Sequence, residues 1–297
     1  MRTRLTTLFL RLCALLPLPA VHALGAGAGW LLARFPTEAR RITRINIARC
    51  LPELGAAERR RLARLSLMET GKTVAETGPL WLWKRDRILD LMQDVTGEDR
   101  LEEALAAGRG AILAAPHLGA WELVGLYSSL RHPITSLYRP PRLGGLDALM
   151  KGARERFGAT LVPADAAGVR ALLKALRRGE LLGILPDQEP RYGNGVFTPF
   201  FGLPAYTMTL LGRLARQSGA PIFIAYAERL AAGRGYRLHY LPLAPMPADT
   251  PVEEITAAVN AGIEACVRRL PQQYQWSYKR FRTRPPGEAR LYSRRAS

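Results

Sequence analysis

The sequence predicts an α/β fold with a largely parallel central sheet and flanking helices, preceded by an N-terminal helical region. Three observations support this prediction. Residues 5–33 are almost continuously apolar, residues 38–50 and 56–77 have apolar side chains at helical spacing, and strand and helix patterns alternate from about residue 110 onward. The predicted regions are an N-terminal anchor at 1–35, a helical region at 36–108 and an α/β core at 109–297.

The N-terminal apolar segment has two interpretations. Arg2 and Arg4, the apolar centre and the small residues ending at Ala23 resemble a cleaved secretory signal. The segment stays apolar as far as Ala33, however, which favours a retained membrane anchor with its basic end on the cytoplasmic side. Gly25, Gly27 and Gly29 in it predict close helix packing in or on a membrane. Whether the anchor spans the bilayer or lies in it is left open.

The chain is strongly basic, with 43 Lys and Arg against 25 Asp and Glu and a formal net charge of +18. Such a charge suits nucleic acid, an anionic membrane surface, or an acidic or phosphorylated partner, although a GC-rich genome also favours arginine. Arginines cluster directly after the apolar segment, from Arg34 to Arg64, which favours the membrane surface. No nucleic-acid-binding module is recognisable, so nucleic acid is not expected as a partner. Trp81 and Trp83 suit either a membrane interface or a helical core.

The three cysteines and four histidines are scattered, which predicts neither a disulfide framework nor a zinc site. Six short apolar runs predict strands: Ala111–Ala115, Ile134–Tyr138, Thr160–Val162, Leu181–Leu185, Pro221–Ala227 and Tyr236–Leu241. Five amphipathic segments predict the intervening helices: Trp121–Leu130, Leu146–Phe157, Val169–Arg178, Thr207–Gln217 and Glu253–Leu270. Catalytic groups in such folds gather at the carboxyl ends of the strands.

The first of these strand ends carries His117, and Glu122 follows five residues later. On one straight helix the two side chains would point about 140° apart, so they meet only if His117 lies on the preceding turn. Pro116 and Gly119 predict such a turn. Glu122 would then accept a hydrogen bond from His117 Nδ1 and leave Nε2 free as a general base. The spacing alone is a weak signal, since a histidine at a strand end is often only structural.

Two other predicted strand ends are also polar. Leu181–Leu185 leads into Asp187 and Gln188, and Ile134–Tyr138 leads into Arg139, whose guanidinium suits a phosphate or a developing oxyanion. No Gly-x-Ser-x-Gly motif is present. A histidine–carboxylate pair without a nearby nucleophile favours direct acyl transfer to a bound alcohol, without an acyl-enzyme.

In this set of motifs the chain resembles the lipid A biosynthesis lauroyl/myristoyl (late) acyltransferase family. The resemblance covers essentially the whole chain in order, and five segments carry it: His117–Glu122, Tyr138–Pro140, Pro186–Glu189, Val196–Gly202 and Pro271–Phe281. It implies a glycerol-3-phosphate acyltransferase-like core, located at the cytoplasmic face of the Gram-negative inner membrane. It also implies acyl-acyl carrier protein as co-substrate, a lipid A precursor or related glycolipid as acceptor, and no cofactor or metal.

The resemblance also assigns roles to residues. His117 would be the general base and Glu122 its partner, while Arg139, Asp187, Gln188 and either Arg154 or Arg156 would bind substrate. Three departures from the family pattern leave the acceptor less certain than the reaction: Pro116 in place of an asparagine, Arg142 and Gly144 where another asparagine is usual, and Gln188 where many members carry histidine. Trp276 and the basic residues 279–282 are expected to pack or to lie on the surface.

Two alternatives remain open from the sequence. One is an acyltransferase with the same mechanism and another acceptor, such as a lysophospholipid, an ornithine lipid or a different glycolipid. The other is an inactive, basic membrane-binding protein, in which replacing His117 would leave function intact.

Overall fold

A seven-stranded mixed sheet forms the centre of the molecule in the computed structural model, which describes residues 2–140 and 144–293. The strands are β1 (Met92–Thr96), β2 (Ala111–Ala114), β3 (Ile134–Tyr138), β4 (Thr160–Pro163), β5 (Leu181–Ile184), β6 (Gly195–Phe200), β7 (Leu203–Met208), β8 (Ile222–Arg229) and β9 (Tyr236–Pro242). The helices are α1 (Arg2–Leu15), α2 (Leu18–Arg34), α3 (Glu38–Cys50), α4 (Ala56–Leu82), α5 (Arg85–Leu89), α6 (Glu98–Ala106), α7 (Trp121–Arg131), α8 (Asp147–Glu155), α9 (Ala166–Arg177), α10 (Leu210–Ser218) and α11 (Val252–Arg269).

The strand order in the large sheet is β1-β9-β8-β2-β5-β3-β4, and only the β8–β9 pair is antiparallel. The predicted α/β fold with a largely parallel sheet is therefore confirmed. All six predicted strands are present within one or two residues of their predicted ends. The region predicted as helical also contributes β1, which extends one edge of the sheet beside β9.

Helices cover both faces of the central strands, and every residue of β2 and β5 is buried. In β2, Ile112 and Ala114 pack with α9, α10 and α11 on one face. Ala111 and Leu113 pack with α7 on the other. Because successive side chains of a strand point to opposite faces, β2 packs against helices on both sides and lies in the middle of the core. Its carboxyl end lies at the edge of the sheet where the polar residues follow.

Residues 195–208 form a two-stranded antiparallel hairpin of β6 and β7, and its last two residues fall where the sequence predicts the start of a helix at Thr207. Thr207 pairs with Val196 across this hairpin, so α10 begins at Leu210. The prediction of a helix from Thr207 is wrong over its first three residues because the strand pairing takes precedence there.

The N-terminal segment forms two separate helices, α1 and α2, with Pro17 at the N-cap of the second. Within residues 2–140 and 144–293, no helix is both long and apolar enough to cross a membrane. A spanning anchor at 1–35 is thus not supported by this part of the structure.

Helix α2 lies directly on α4, as the predicted close helix packing requires. A Cβ atom on Gly25 would lie 2.6 Å from the Gly71 carbonyl oxygen, and one on Gly29 would lie 2.1 Å from that of Leu67. Gly27 faces open space instead. Close helix packing is therefore confirmed for Gly25 and Gly29 but not for Gly27.

Helix α4 is longer than predicted, because it continues through Pro79 to Leu82. Trp81 and Trp83, for which the sequence allows a membrane interface or a core, are both buried. The Trp83 indole N–H donates to the Ala14 carbonyl oxygen at 2.7 Å. The core alternative is thus the correct one for these two residues.

A buried ionic cluster joins α4 to the sheet. The Arg229 guanidinium at the end of β8 donates to Glu76 at 2.9 Å and to Glu69 at 2.6 Å. Tyr236 donates its hydroxyl to the same Glu76 at 2.8 Å, and His22 of α2 lies 3.1 Å from it. Burial raises the pKa of Glu76, but Arg229 outweighs burial and lowers it to about 2. Glu76 is therefore an ionised carboxylate that holds α2, α4, β8 and β9 together.

Candidate active site

A tight turn carries His117 at the carboxyl end of β2. Gly119 in this turn has φ of +62°, and a Cβ there would lie 2.0 Å from the Ala227 carbonyl oxygen. Only glycine fits both the positive φ and this close approach. The Ala120 N–H donates to the same carbonyl at 2.9 Å, which fixes the turn against β8. Helix α7 then begins at Trp121, so His117 precedes the helix as predicted.

His117 and Asp187 lie side by side because of the register between β2 and β5. Ala114 pairs with Ile184 in the parallel ladder, and each polar residue follows its strand residue by three positions. Asp187 Oδ1 lies 2.8 Å from His117 Nδ1, and Oδ2 accepts the His117 backbone N–H at 2.9 Å. Both carboxylate oxygens therefore hold one histidine.

Asp187 is ionised in this arrangement. Its side chain is only 3% exposed, and burial raises its pKa. His117 outweighs burial through the positive charge that it can carry and through the hydrogen bonds from its ring and backbone. It therefore lowers the pKa of Asp187 below its usual value. An ionised carboxylate can only accept, so Nδ1 carries the proton and Nε2 is the unprotonated nitrogen that a general base needs.

Glu122, the predicted partner of His117, makes a different contact. It forms a two-point ion pair with Arg154 of α8, whose Nε donates to Glu122 at 2.9 Å and whose Nη2 donates to the other oxygen. The predicted hydrogen bond between His117 and Glu122 is therefore wrong. The first turn of α7 directs Glu122 toward α8, whereas the strand register directs His117 toward β5.

An apolar cavity of about 60 Å³ lies beside this ion pair. Its lining includes Leu113, Gly125, Ile134, Leu161, Gly183 and Leu185. Glu122, Arg154 and Trp121 also line it, and the Trp121 ring centroid lies 4.9 Å from that of His117. A largely apolar space with one wall formed by Trp121, which packs on the histidine, suits an apolar chain attached to the reacting group.

Two glutamine side chains complete the surroundings of His117. Gln188 Nε2 lies 3.0 Å from His117 Nε2 and donates to Gln275 Oε1 at 3.4 Å. The Gln275 backbone N–H donates to the His117 carbonyl oxygen at 3.1 Å. Gln188, predicted to bind substrate, therefore touches the base directly.

The C-terminal segment after α11 holds the histidine turn from its other side. Tyr274 forms an isolated antiparallel bridge with Leu118, and the Gly119 N–H donates to the Gln273 carbonyl oxygen at 3.1 Å. Trp276 is 1% exposed, and its indole N–H donates to the Pro271 carbonyl oxygen at 2.7 Å. The predicted packing role of Trp276 is confirmed, while the contact of Gln275 with the site was not predicted.

The predicted arginines occupy three different positions. Arg139 follows β3 at the same edge of the sheet; it is exposed, and no ion pair to it is found among the residues the structure describes. Arg154 pairs with Glu122. Arg156 donates to the Leu80 and Trp83 carbonyl oxygens at 2.6 Å each, so it caps α4, and burial lowers its pKa to about 10. Arg142 lies outside the described residues.

The sequence contained a signal for the Asp187 pairing. The dipeptides Pro116-His117 and Pro186-Asp187 each stand at the same distance beyond an apolar strand. Two neighbouring parallel strands with equal spacing to a polar residue bring those residues together. The spacing does not reveal the order of the strands in the sheet. Without that order the sequence does not show that His117 and Asp187 are neighbours.

Comparison with known proteins identifies the family of this chain. The family model described as bacterial lipid A biosynthesis acyltransferase matches residues 2–283. The chain is similar to the lipid A biosynthesis lauroyltransferase of Escherichia coli (strain K12), with 32% identity over 93% of this chain and 90% of the relative. It is 31% identical to the palmitoleoyltransferase of the same strain, with the same coverage. It is also 31% identical to a lipid A biosynthesis acyltransferase of Haemophilus influenzae, over 91% of this chain and 86% of the relative.

The family model covers well over half of the chain, and the first of these relatives exceeds 30% identity over nearly all of it. The chain therefore belongs to the bacterial lipid A biosynthesis acyltransferase family and is an acyltransferase.

Proposed function

We propose that this enzyme transfers a fatty acyl group from the thioester of acyl-acyl carrier protein to a hydroxyl of a lipid A precursor. The observation that carries the proposal is the contact of 2.8 Å between His117 Nδ1 and the ionised Asp187, which leaves Nε2 as a base. The names of the relatives, which are lipid A biosynthesis acyltransferases, support the choice of acceptor.

In the proposed reaction, His117 Nε2 takes the proton of the acceptor hydroxyl as its oxygen attacks the thioester carbon. The carbonyl electrons move onto oxygen to give a tetrahedral oxyanion, and their return breaks the carbon–sulfur bond. The proton on His117 then passes to the leaving thiolate. The products are the new ester and the carrier thiol, and no acyl-enzyme forms. Asp187 stabilises the imidazolium that exists between these steps.

The donor's acyl chain is proposed to occupy the apolar cavity beside Trp121. At about 60 Å³ the unliganded cavity holds only a few water-sized groups, so a fatty acyl chain enters only when the lining moves. The Glu122–Arg154 pair belongs to that lining. Its proposed role is to hold α8 against α7 and close the cavity, in place of the predicted role of Glu122 as the partner of the base.

The basic surface is proposed to attract the anionic partners. Acyl carrier protein is acidic and lipid A precursors carry phosphates, so a chain with net charge +18 attracts both. Arg139 is exposed at the strand edge and is the arginine proposed to bind a phosphate. This attraction falls as ionic strength rises, because exposed charges are screened over about 10 Å at 0.1 M salt.

Helices α1 and α2 are proposed to lie in the plane of the inner-membrane surface, on its cytoplasmic side. Leu5, Leu8, Phe9, Leu12 and Leu15 are exposed at the spacing of one helix face. Trp30 and Leu31 of α2 are also exposed, beside the basic Arg34. An apolar face with basic neighbours is typical of helices that insert into the headgroup region without crossing the bilayer.

This membrane contact is tested by sedimentation with anionic phospholipid vesicles. The double variant Leu8→Ser/Leu12→Ser is expected to bind at least about tenfold more weakly, because each buried leucine contributes roughly 1.5–3 kcal/mol. Tyr192→Ser, at an exposed aromatic residue before β6, is the matched control. Equal binding of wild type and double variant would refute the proposed contact.

The function itself is tested by acyl transfer from a panel of acyl-acyl carrier proteins to a tetra-acylated lipid A precursor. Wild type is expected to form the ester, and His117→Ala to lose a factor of about 10² or more, the usual size of a general-base effect. If wild type reacts only with another lipid, the mechanism stands and the acceptor is wrong. If His117→Ala matches wild type, the catalytic proposal fails.

A further inference from the structure

The lone pair of the proposed base lies against the side-chain amide of Gln188. Since Nδ1 carries the proton donated to Asp187, His117 Nε2 can only accept a hydrogen bond. The Gln188 amide nitrogen lies 3.0 Å from it, within hydrogen-bond distance. The group that must receive the acceptor's proton is thus already bound to an amide N–H.

The orientation of the Gln188 amide is fixed by its second contact. Its nitrogen also donates to Gln275 Oε1 at 3.4 Å, so the NH₂ group bridges an imidazole nitrogen and a carbonyl oxygen. The reverse orientation would place the Gln188 oxygen against two acceptors. The side chains of His117, Gln188 and Gln275 therefore form one connected set. The Gln275 backbone N–H also donates to the His117 carbonyl oxygen, which holds Gln275 in place.

The backbone on both sides of Gln188 is held in place, whereas the Gln188 side chain is partly exposed. Its chain neighbours are buried and fixed: Asp187 by His117, and Glu189 by the Tyr278 hydroxyl, which accepts the Glu189 N–H at 2.9 Å. Gln188 is only half-buried. A rotation about its side-chain torsions therefore uncovers Nε2 without any change in the backbone.

We infer that Gln188 is a positioning residue that caps the lone pair of His117 until an acceptor hydroxyl displaces it, and so limits transfer of the acyl group to water. The inference rests on the proposed function. In the side reaction, His117 Nε2 takes a proton from water, the water oxygen attacks the thioester carbon, and the carbon–sulfur bond breaks. The proton then passes to the thiolate, which leaves a free fatty acid and the carrier thiol. A lone water must compete with the Gln188 amide, whereas a bound lipid brings its own binding energy.

The test uses Gln188→Leu, which removes the amide but keeps a side chain of similar size. Donor hydrolysis is measured without acceptor, and ester formation with saturating acceptor. The ratio of hydrolysis to transfer is expected to rise about three- to tenfold, the size of one modest hydrogen bond. Gln217→Leu, on the exposed face of α10, is the matched control and is expected to keep the wild-type ratio.

A second variant, Gln188→Glu, gives a readout that a structural role would not move. A carboxylate beside Nε2 favours the imidazolium, so the acid limb of the rate profile is expected to move to higher pH by about one unit or more. Asp187 is the charged group in contact with the His117 ring, and the charge of Arg280 helps to lower the pKa of Asp187. The Glu122–Arg154 pair is also charged and lies on the other side of Trp121. These groups are common to all the variants, so the difference in profile reports on position 188.

Failure of the inference and failure of the proposed function are distinguishable. If wild type transfers acyl groups in a His117-dependent way but Gln188→Leu keeps the wild-type ratio, the inference is overturned and the function stands. If no lipid A precursor is acylated, two measurements still compare wild type with Gln188→Leu. These are the His117-dependent hydrolysis of the donor and the ¹⁵N NMR shift of His117 Nε2, which reports on the hydrogen bond from Gln188. No change in either for Gln188→Leu then overturns the inference.

Discussion

Replacing Asp187 by asparagine tests the identity of the partner of His117. The two oxygens of Asp187 accept two N–H groups of His117, one from the ring and one from the backbone. Asparagine has a single acceptor oxygen. The backbone N–H of His117 can only donate a hydrogen bond, whereas ring Nδ1 can donate or accept according to the tautomer. The amide oxygen should therefore face the backbone, which leaves the amide NH₂ against Nδ1.

That substitution forces the other tautomer of the ring. Nδ1 becomes the acceptor and Nε2 carries the proton, so the base points its lone pair away from the substrate. Loss of general-base catalysis corresponds to a fall in kcat of about 10²–10⁴-fold. At about 1.36 kcal/mol per factor of ten, the transition state loses roughly 3–5 kcal/mol of stabilisation.

The assay combines kcat for acyl transfer with ¹⁵N NMR of His117, whose two ring nitrogens differ in shift according to which one is protonated. Glu122→Gln is the control, because the sequence spacing predicts Glu122 as the partner while the structure pairs it with Arg154. Glu122→Gln should keep the proton on Nδ1, and Asp187→Asn should move it to Nε2. A tautomer change in Glu122→Gln, or wild-type kcat in Asp187→Asn, would refute the reasoning.

Three further predictions concern the cavity and the packing. A Cβ at Gly125 would meet no atom within 4 Å, so Gly125→Val fills the cavity and should shift donor preference toward shorter acyl chains in competition assays; an unchanged preference would place the chain elsewhere. Arg229→Met leaves the buried Glu76 without its guanidinium partner and should lower the free energy of unfolding by about 3–5 kcal/mol in urea titrations. Because the pKa of Glu76 is lowered in the folded state, its contribution to stability is present above the unfolded pKa near 4.5 and is lost as pH falls toward about 2. In Arg229→Met burial is no longer outweighed, so the pKa of Glu76 rises and lowering the pH should relieve part of the destabilisation instead. Gly71→Val places side-chain atoms against the Gly25 carbonyl and should lower Tm, whereas Gly27→Val, on the open side of α2, should leave Tm nearly unchanged.

Much of the fold followed from the sequence because the central strands are short apolar runs with clear ends. The hairpin of β6 and β7 did not, since its connection is Phe201-Gly202, with φ of +52° and +70°. Glycine or asparagine usually marks the first such position. Here Phe201 occupies it because its ring packs on Trp276 at 5.5 Å and its N–H donates to Glu264 at 2.6 Å. Tertiary contacts thus specify a turn that local sequence conceals.

The sequence predicted the sheet edge on which these residues lie but not their pairing. His117, Asp187, Gln188 and Arg139 all lie at the predicted edge of the sheet, since each follows a strand directly. The partner of His117 depends on which strands are neighbours, and chain order does not determine that. Glu122 is near in sequence but faces α8, while Asp187 is seventy positions away and lies one strand over.

The contact between the C-terminal segment and the histidine turn has a consequence for biosynthesis. Tyr274 and Gln275 hold the turn, and the Ser66 and Asn46 side chains of α4 and α3 bind the carbonyls of Tyr274 and Trp276. Chains fold from the N-terminus as they are made. The apolar N-terminal helices of a nascent chain leave the ribosome first. The histidine turn lacks one of its sides until residues near 275 have also left the ribosome. On the proposed function, translation would place membrane contact before activity, and an incomplete chain would be unable to consume its acyl donor.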